Sequence, residues 1–543
     1  MVSLREAESS FNYERAAAEV LGGRLDSMNA AFECCDRHDA HKVALVWESD
    51  TGKSEEWTFG KLSQHSQQLA NVLKQQGVQP GDCVGGLLPR IPELIVTILA
   101  TWRVGGIYQP LFTAFGPKAI EHRVTTAKTR VVVTTPADRS KLDGVFEGTV
   151  ISTDATAPND IDFWSEIRTA SEQFEAVARD GEDPFLMMFT SGTTGLAKPL
   201  MVPNKAIIAF AAYLRDAVGL RPEDNFWNMA DPGWAYGLYN GIVGPLALGH
   251  TTTFFDGRFT VDNFCKLIER RRISNLIGAP TAYRMIMAEG PAAAASIKGM
   301  LRVVSSAGEP LNPEVARWFK DELGAPIYDH FGQTEVGMVL CNHHHLEHPV
   351  VLGAAGRASP GYHLVVLGED HQERPAGEPG VLAIDRVKSP LMWFKGYHGV
   401  ETKAFVGDYY LTGDTVVLNA DGNITFVGRE DDIITSAGYR IGPFDVESAL
   451  MEHPAIAETA VIGKPDPERT EVVKAFIVLK AGENASDALI SELQQHVRKR
   501  LSAHAYPREI VFVQSLPKTP SGKVQRGVLR QREVAAANLG TAA

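Results

Sequence analysis

The chain has 543 residues, with 53 Lys and Arg against 66 Asp and Glu, for a formal net charge of −13. Its 44% apolar and 22% charged residues are globular proportions, which exclude a fibrous or disordered chain. The acidic balance argues against a general nucleic-acid or lipid-surface binder, while leaving room for a local basic pocket.

From about residue 40 to 340, short β-rich runs alternate with longer amphipathic stretches. The strands expected are Cys83–Leu88, Val131–Thr135, Pro184–Phe189, Thr251–Phe255, Ser274–Gly278 and Arg302–Ser305, with helices such as Thr58–Gln76 and Val261–Arg271 between them. This alternation predicts α/β architecture with mainly parallel sheets flanked by helices. The longest apolar stretch, Leu94–Trp102, is about half a bilayer span, so no integral membrane segment is expected. Arg5, Glu6, Glu8, Glu14 and Arg15 interrupt the N-terminal stretch, so no signal peptide is expected either.

Between residues 350 and 430 helical periodicity fades. Short strands Gly361–Leu367, Gly380–Ile384, Tyr409–Thr412 and Ile424–Val427 predict a small β-rich subdomain. After Gly428-Arg429-Glu430-Asp431-Asp432 the texture changes again. Pro443 opens a helix over Phe444–Met451. Strands Thr459–Ile462 and Val473–Leu479, a helix from Ser486-Asp487 to Leu501 and a strand Glu509–Val513 follow. The expected division is therefore an N-terminal domain over 1–430 and a small, mobile α+β lid over 431–543, with the Ala-rich tail after Val534 frayed. Five unpatterned cysteines do not form a disulfide framework and point to a reducing, cytoplasmic setting.

The strongest local signal is Thr190-Ser191-Gly192-Thr193-Thr194-Gly195-Leu196-Ala197-Lys198-Pro199, directly after the strand Phe185–Phe189. Glycines let backbone N–H groups approach phosphate oxygens, the hydroxyls donate further bonds, and the lysine supplies charge. Pro199 after the lysine excludes a Walker A loop.

This run resembles the phosphate loop of adenylate-forming enzymes: acyl-CoA synthetases, adenylation domains of peptide synthetases, and luciferases. Further segments resemble that family in the expected order. Asp231-Pro232-Gly233-Trp234 is similar to the start of its acyl pocket, and Ser306-Ala307-Gly308-Glu309-Pro310 to its adenine turn. Asp329-His330-Phe331-Gly332-Gln333-Thr334-Glu335 resembles its Y-G-Q-T-E motif, with Phe331 in place of Tyr. Leu411-Thr412-Gly413-Asp414 resembles the T-G-D motif, Gly428–Asp432 the hinge, and Lys518-Thr519-Pro520-Ser521-Gly522-Lys523 the catalytic-lysine motif.

The resemblance implies the roles. Thr190, Ser191, Gly192, Thr193, Thr194, Gly195 and Lys198 would hold the β- and γ-phosphates of ATP, and Thr334 the α-phosphate. Glu335 would coordinate Mg²⁺. Asp414 and Arg429 would hold the ribose. Gly308, Glu309, Pro310, Asp329, Phe331, Gly332 and Gln333 would border the nucleotide. Lys523 would reach the reacting carboxylate and α-phosphate. The lid would then turn about Asp431, exchanging Lys523 for Gly438, Tyr439 and Arg440 so that coenzyme A can enter. Trp234, Ala235, Tyr236, Gly237 and Gly332 would line the acyl pocket. Acetyl-CoA synthetases typically carry Trp where Gly332 stands, so the acid expected here is larger than acetate: medium-chain, branched or aromatic.

The implied activity is an acid–thiol ligase using ATP, Mg²⁺, coenzyme A and a small carboxylic acid, as a monomer or homodimer. Two other readings stand beside it: an adenylating enzyme that passes its acyl group to a carrier protein or amine, and a non-catalytic nucleotide-binding homologue. Cys341-Asn342-His343-His344-His345-Leu346-Glu347-His348 lacks metal-ligand spacing and is expected to be a polar loop near the mouth of the site. Arg270-Arg271-Arg272 and Arg498-Lys499-Arg500 are expected to be solvated helix faces. Lys464, Lys474 and Arg508 are weak candidates for the phosphates of coenzyme A.

Overall fold

A computed structural model gives the architecture. It describes residues 2–540 apart from 156, 191–196, 437–438, 467–468, 503 and 520–521, and leaves aside the side chains of 440 and 536–540. The family resemblance and the alternating pattern both imply α/β layers, and two large sheets provide them. One has seven strands, in the order Ile161–Asp162, Thr149–Ser152, Val131–Thr134, Cys83–Leu87, Ile107–Pro110, Pro184–Thr190 and Lys198–Pro203. All its pairings are parallel except the last. The other has nine strands, running from Arg357–Ala358 at one edge through Gly337–Cys341, Ile327–Gln333, Val303–Ala307, Asn275–Gly278, Phe226–Asn228, Thr252–Asp256 and Val43–Ser49 to Ser54–Thr58.

The central strands are apolar without alternation. Cys83–Leu87 and Val131–Thr134 are buried throughout, as expected of parallel strands covered on both faces. The apolar stretch Leu94–Trp102 forms most of the helix Pro92–Arg103, which Pro92 opens at its first turn and which is buried around nearly its whole circumference. Trp102 Nε1 donates to the Phe185 carbonyl at 2.9 Å, tying this helix to the strand that ends at Thr190.

A five-stranded, largely antiparallel sheet containing Leu364–Leu367, Pro379–Asp385 and Tyr409–Leu418 forms the β-rich part. Its strands Tyr409–Leu418 and Ile424–Arg429 extend beyond the segments expected, because the antiparallel ladder continues to the Asp414–Arg429 pair. The C-terminal domain has its own five-stranded sheet and its own apolar core of Ile434, Val446, Leu450, Ile477, Leu493 and Val497, among others. The last element among the described residues is a helix, Arg526–Gly540. Leu529 explains its start: it is buried against Ala460, Ile462 and Phe476.

Contacts between the C-terminal domain and the large domain include a ring contact of Phe444 on Phe426. Asn312 Nδ2 donates to Ser448 Oγ at 3.2 Å, and Met287 packs on the core of the C-terminal domain. Among the described residues, no helix is long and apolar enough to cross a membrane.

Candidate active site

The phosphate-loop candidate lies between two paired strands, Pro184–Thr190 and Lys198–Pro203. Thr190 stands opposite Lys198 in an antiparallel ladder; Ser191, Gly192, Thr193, Thr194 and Gly195 lie outside the described residues. The strand pair is braced by a segment with no motif of its own. His398 donates its N–H to the Pro199 carbonyl at 2.8 Å, and Lys198 Nζ sits 5.0 Å from the centre of the Tyr397 ring. Tyr397 in turn donates its hydroxyl to Glu335 Oε1 at 2.6 Å. Burial raises the Glu335 carboxyl above its ordinary range, against the opposing pull of Tyr397, Arg429 and Lys198.

Thr334 and Glu335 occupy the turn between the strands Ile327–Gln333 and Gly337–Cys341, and Tyr239 donates its hydroxyl to the Thr334 carbonyl at 3.1 Å. Gln333 is the joint between this hairpin and the β-rich part. Its amide nitrogen donates to the Thr412 carbonyl at 2.9 Å and to Asp414 Oδ2 at 2.8 Å, and its oxygen accepts from Tyr410 at 2.9 Å. Asp414 is 3% exposed. Burial pushes its carboxyl up to about 6, although Arg429, Gln333 and Lys523 pull it back. Arg429 Nη1 lies 3.3 Å from Asp414 Oδ1, and Arg429 Nε lies 3.5 Å from Asp431 Oδ1.

On the opposite side, Gly308 takes a left-handed conformation (φ 98°) after the strand Val303–Ala307. Glu309 is held by Thr281 Oγ1 and by Arg284 Nη2, both at 2.9 Å. Its carboxyl lies below the ordinary range because Arg284, Thr281 and Lys523 outweigh the cost of burial. Pro310 precedes Leu311, whose N–H donates to Asp329 Oδ2 at 3.1 Å. The other Asp329 oxygen is buried with no partner among the described residues, and burial pushes this carboxyl up to about 8. A hydrogen-bond donor brought to that oxygen would favour the ionised form.

Lys523 comes from the C-terminal domain. Its Cε lies 3.7 Å from where a Cβ on Gly308 would stand. Its charge lowers both Glu309 and Asp414, so it spans the two sides of the crevice. The turn carrying it is closed by Thr519 N–H donating to the Lys523 carbonyl at 2.7 Å and by Lys523 N–H donating to Thr519 Oγ1 at 3.1 Å. Three residues on, Arg526 reaches Glu447 at 2.7 Å and Asp432 at 3.7 Å, and Arg530 also pairs with Asp432. Tyr439 is half exposed and stacks on His504 at 3.9 Å. Gly438 and the Arg440 side chain fall outside the description.

The acyl segment is built differently from a simple lining. Asn228 Nδ2 donates to the Tyr236 carbonyl at 3.1 Å and Asp231 Oδ1 accepts from Gly233 N–H at 2.8 Å, which locks the turn. Trp234 packs on Phe112 and Phe115, each with ring centres 5.5 Å away. Ala235 opens the short helix Ala235–Leu238. Gly237 is buried against the Asp231 backbone, where a Cβ would overlap the Asp231 carbonyl. Gly332, next to Phe331, is likewise more than a missing wall. A Cβ there would overlap the Gly337 carbonyl and lie 2.6 Å from Met338 Sδ, so the hairpin itself excludes a side chain.

Some expectations need correcting. The histidine stretch is a loop in which His345 and Glu347 are exposed but the residues before them are packed into the fold. His343 is 3% exposed, and His344 stacks on Tyr328 at 4.1 Å and contacts the Val304 carbonyl at 3.0 Å. Among the described residues, no group of three or more His, Cys, Asp or Glu could hold a metal. Arg270 and Arg271 are not simply solvated, since both pair with the buried Glu48. Lys464 and Lys474 are engaged by Glu509, and Lys474 also by Glu533. Arg508 lies 3.1 Å from the Tyr506 hydroxyl. Tyr397, Tyr410, Arg284 and Arg526 carry no sequence signal of a role, being single residues brought in from distant elements.

An AMP-binding enzyme family model matches residues 32–398, and an AMP-binding enzyme C-terminal domain model matches residues 445–523. The chain belongs to this adenylate-forming family. It is 37% identical to the acetyl-coenzyme A synthetase of Bacillus subtilis (strain 168), over 97% of this chain and 95% of that protein. It is 36% identical to the acyl-coenzyme A synthetase ACSM4, mitochondrial, of Rattus norvegicus, over 90% of this chain and 86% of that one. The crystal structure of the Brucella canis acyl-CoA synthetase shares 54% identity at a TM-score of 0.81, covering 99% of this chain and 100% of that chain.

Proposed function

We propose that this chain, an AMP-forming acyl-CoA synthetase, activates a carboxylic acid larger than acetate, with a medium-chain, branched or aromatic acyl group. In the first half-reaction a carboxylate oxygen attacks the α-phosphorus of ATP and diphosphate leaves. In the second, the thiol sulfur of coenzyme A attacks the acyl carbon, the thiol proton is released and AMP leaves. The first step sets anion against anion, so catalysis is positioning and charge neutralisation.

The observation that carries this reading is the reach of Lys523. A lid residue lies against Gly308 and acts on both Glu309 and Asp414, the two sides of one crevice. In that crevice the segment from Thr190 to Lys198 would hold the outer phosphates, and Thr334 the α-phosphate. Asp414 and Arg429 would take the ribose hydroxyls. Asp329, with Gly308, Glu309 and Pro310, would take adenine. Phe331, Gly332 and Gln333 would border the nucleotide, and Gln333 donates to Asp414.

A hard cation suits Glu335, a buried carboxylate faced by phosphate-binding candidates. Bound there with phosphate oxygens, Mg²⁺ would neutralise charge on the nucleotide. The domain boundary belongs to the same reading: residues 1–430 form the large domain and 431–543 a lid that turns about Asp431 to bring Gly438, Tyr439 and Arg440 to the thiol. Five free, buried cysteines support a reducing, cytoplasmic setting.

The test is AMP and diphosphate formation from ATP and Mg²⁺ with a panel of acids, with and without coenzyme A. Sustained AMP formation that requires coenzyme A supports the reading. Turnover indifferent to coenzyme A would move the acceptor to a carrier protein or amine.

A further inference from the structure

The acyl side of the site contains a polar chain that the nucleotide chemistry does not use. It begins at the Asn342 carbonyl, which can only accept. The 2.8 Å contact from His330 Nε2 therefore fixes a proton on that nitrogen. His330 is 2% exposed, and burial pushes its imidazole down to about 4, so the ring is neutral and Nδ1 is bare. The Tyr213 hydroxyl, 2.8 Å away, must then donate to Nδ1. With that proton committed, the 3.2 Å contact between Tyr213 and Tyr236 runs from the Tyr236 hydroxyl to the Tyr213 oxygen. Tyr213 and His330 are buried, whereas Tyr236 is partly exposed. The chain therefore ends at Tyr236, with its proton turned toward Tyr213 and a lone pair left over.

We propose that the Asn342–His330–Tyr213 chain makes Tyr236 a hydrogen-bond acceptor with no free donor on the acyl side. An acid bearing a hydroxyl or amino donor on its acyl group is then preferred over an acid of the same shape bearing an apolar or acceptor-only group. The inference rests on the reading of Asp231–Gly237 as the acyl-pocket segment. Tyr236 is the specificity-determining residue; Tyr213 and His330 are positioning residues that set the direction of its proton.

The test uses the full chain with ATP, Mg²⁺ and coenzyme A. It compares kcat/KM across benzoates substituted at the 3- or 4-position with hydroxyl, amino, methyl or methoxy groups. Alkanoates of graded length, ending in hydroxyl, methyl or methoxy, form the second set. At the position that reaches Tyr236, the donor-bearing acid is expected to exceed its methyl and methoxy partners about tenfold, the size of one net hydrogen bond. Tyr213→Phe releases the Tyr236 proton, so the methoxy acids gain and the hydroxyl advantage shrinks toward parity. Tyr236→Phe keeps Tyr213, His330 and Asn342 together and favours the methyl acids, so it decides the matter if Tyr213→Phe does not fold. A merely structural role would lower every acid by one factor. Absence of any donor preference in the unaltered chain, or uniform loss in both variants, would overturn the inference while leaving the synthetase reading intact. No AMP from any acid would instead overturn the synthetase reading.

Discussion

Arg429 lies 3.3 Å from Asp414 across an antiparallel ladder in which the two residues stand opposite each other. Burial wins over this attraction, leaving the Asp414 carboxyl at about 6. In the ribose-binding role proposed for Asp414 the ionised form would accept both hydroxyls, so kcat/KM for ATP should fall as pH drops through about 6. The sign for stability is opposite. A folded carboxyl above its unfolded value binds more protons than the unfolded one, so it weakens the fold as pH rises from the unfolded value through about 6. Asp414→Asn should lower kcat/KM for ATP about tenfold or more at neutral pH and flatten the acid limb. An acid limb unchanged in the variant would assign it to another group.

Lys523 makes its contacts from the lid, so it should matter for only one half-reaction. Lys523→Ala is expected to slow adenylation by about a hundredfold or more, while thioester formation from supplied acyl-AMP is retained. Single-turnover measurement of each half separates the two. Equal loss in both would contradict the rotating lid.

Asp431 is ion-paired to Arg429 at 3.5 Å and lies one residue before Asp432, the anchor of Arg526 and Arg530. Proline at 431 would restrict the backbone there. Asp431→Pro should slow the thioester half about tenfold and leave adenylation nearer its normal rate. A variant slowed only in adenylation would place the hinge elsewhere.

Gly332 is squeezed by the Gly337 carbonyl and Met338. Gly332→Ala should therefore cost about 1–3 kcal/mol in denaturant unfolding, with no change in the ranking of acids. Gly332→Trp tests the pocket itself: if the hairpin opens enough to admit the indole, kcat/KM over a series from acetate to decanoate should move toward acetate and propionate. An unchanged series would remove position 332 from the acyl pocket.

The legible parts of this protein are those whose chemistry sits in consecutive residues. Ser306–Pro310, Asp329–Glu335 and Leu411–Asp414 carry recognisable residue types in order, and the Gly308 turn follows from its own flexibility. The braces are not legible, because each is one residue contributed by a distant element. Tyr397 reaches Glu335 over 62 positions, and Tyr410 reaches Gln333 over 77. Charge runs mislead for a related reason. Arg270 and Arg271 look like a solvated face until the fold brings Glu48 to them from a strand 222 and 223 residues away. The histidine stretch is polar by composition, yet His344 stacks on Tyr328 and meets the Val304 carbonyl.

Acid-dependent exchange of labelled diphosphate into ATP, measured with Mg²⁺ and without coenzyme A, tests the central claim most directly. The crevice spanned by Lys523 should support exchange with at least one acid larger than acetate, and Lys523→Ala should abolish it. Absence of exchange with every acid in a broad library, from a folded chain that binds ATP, would contradict the account.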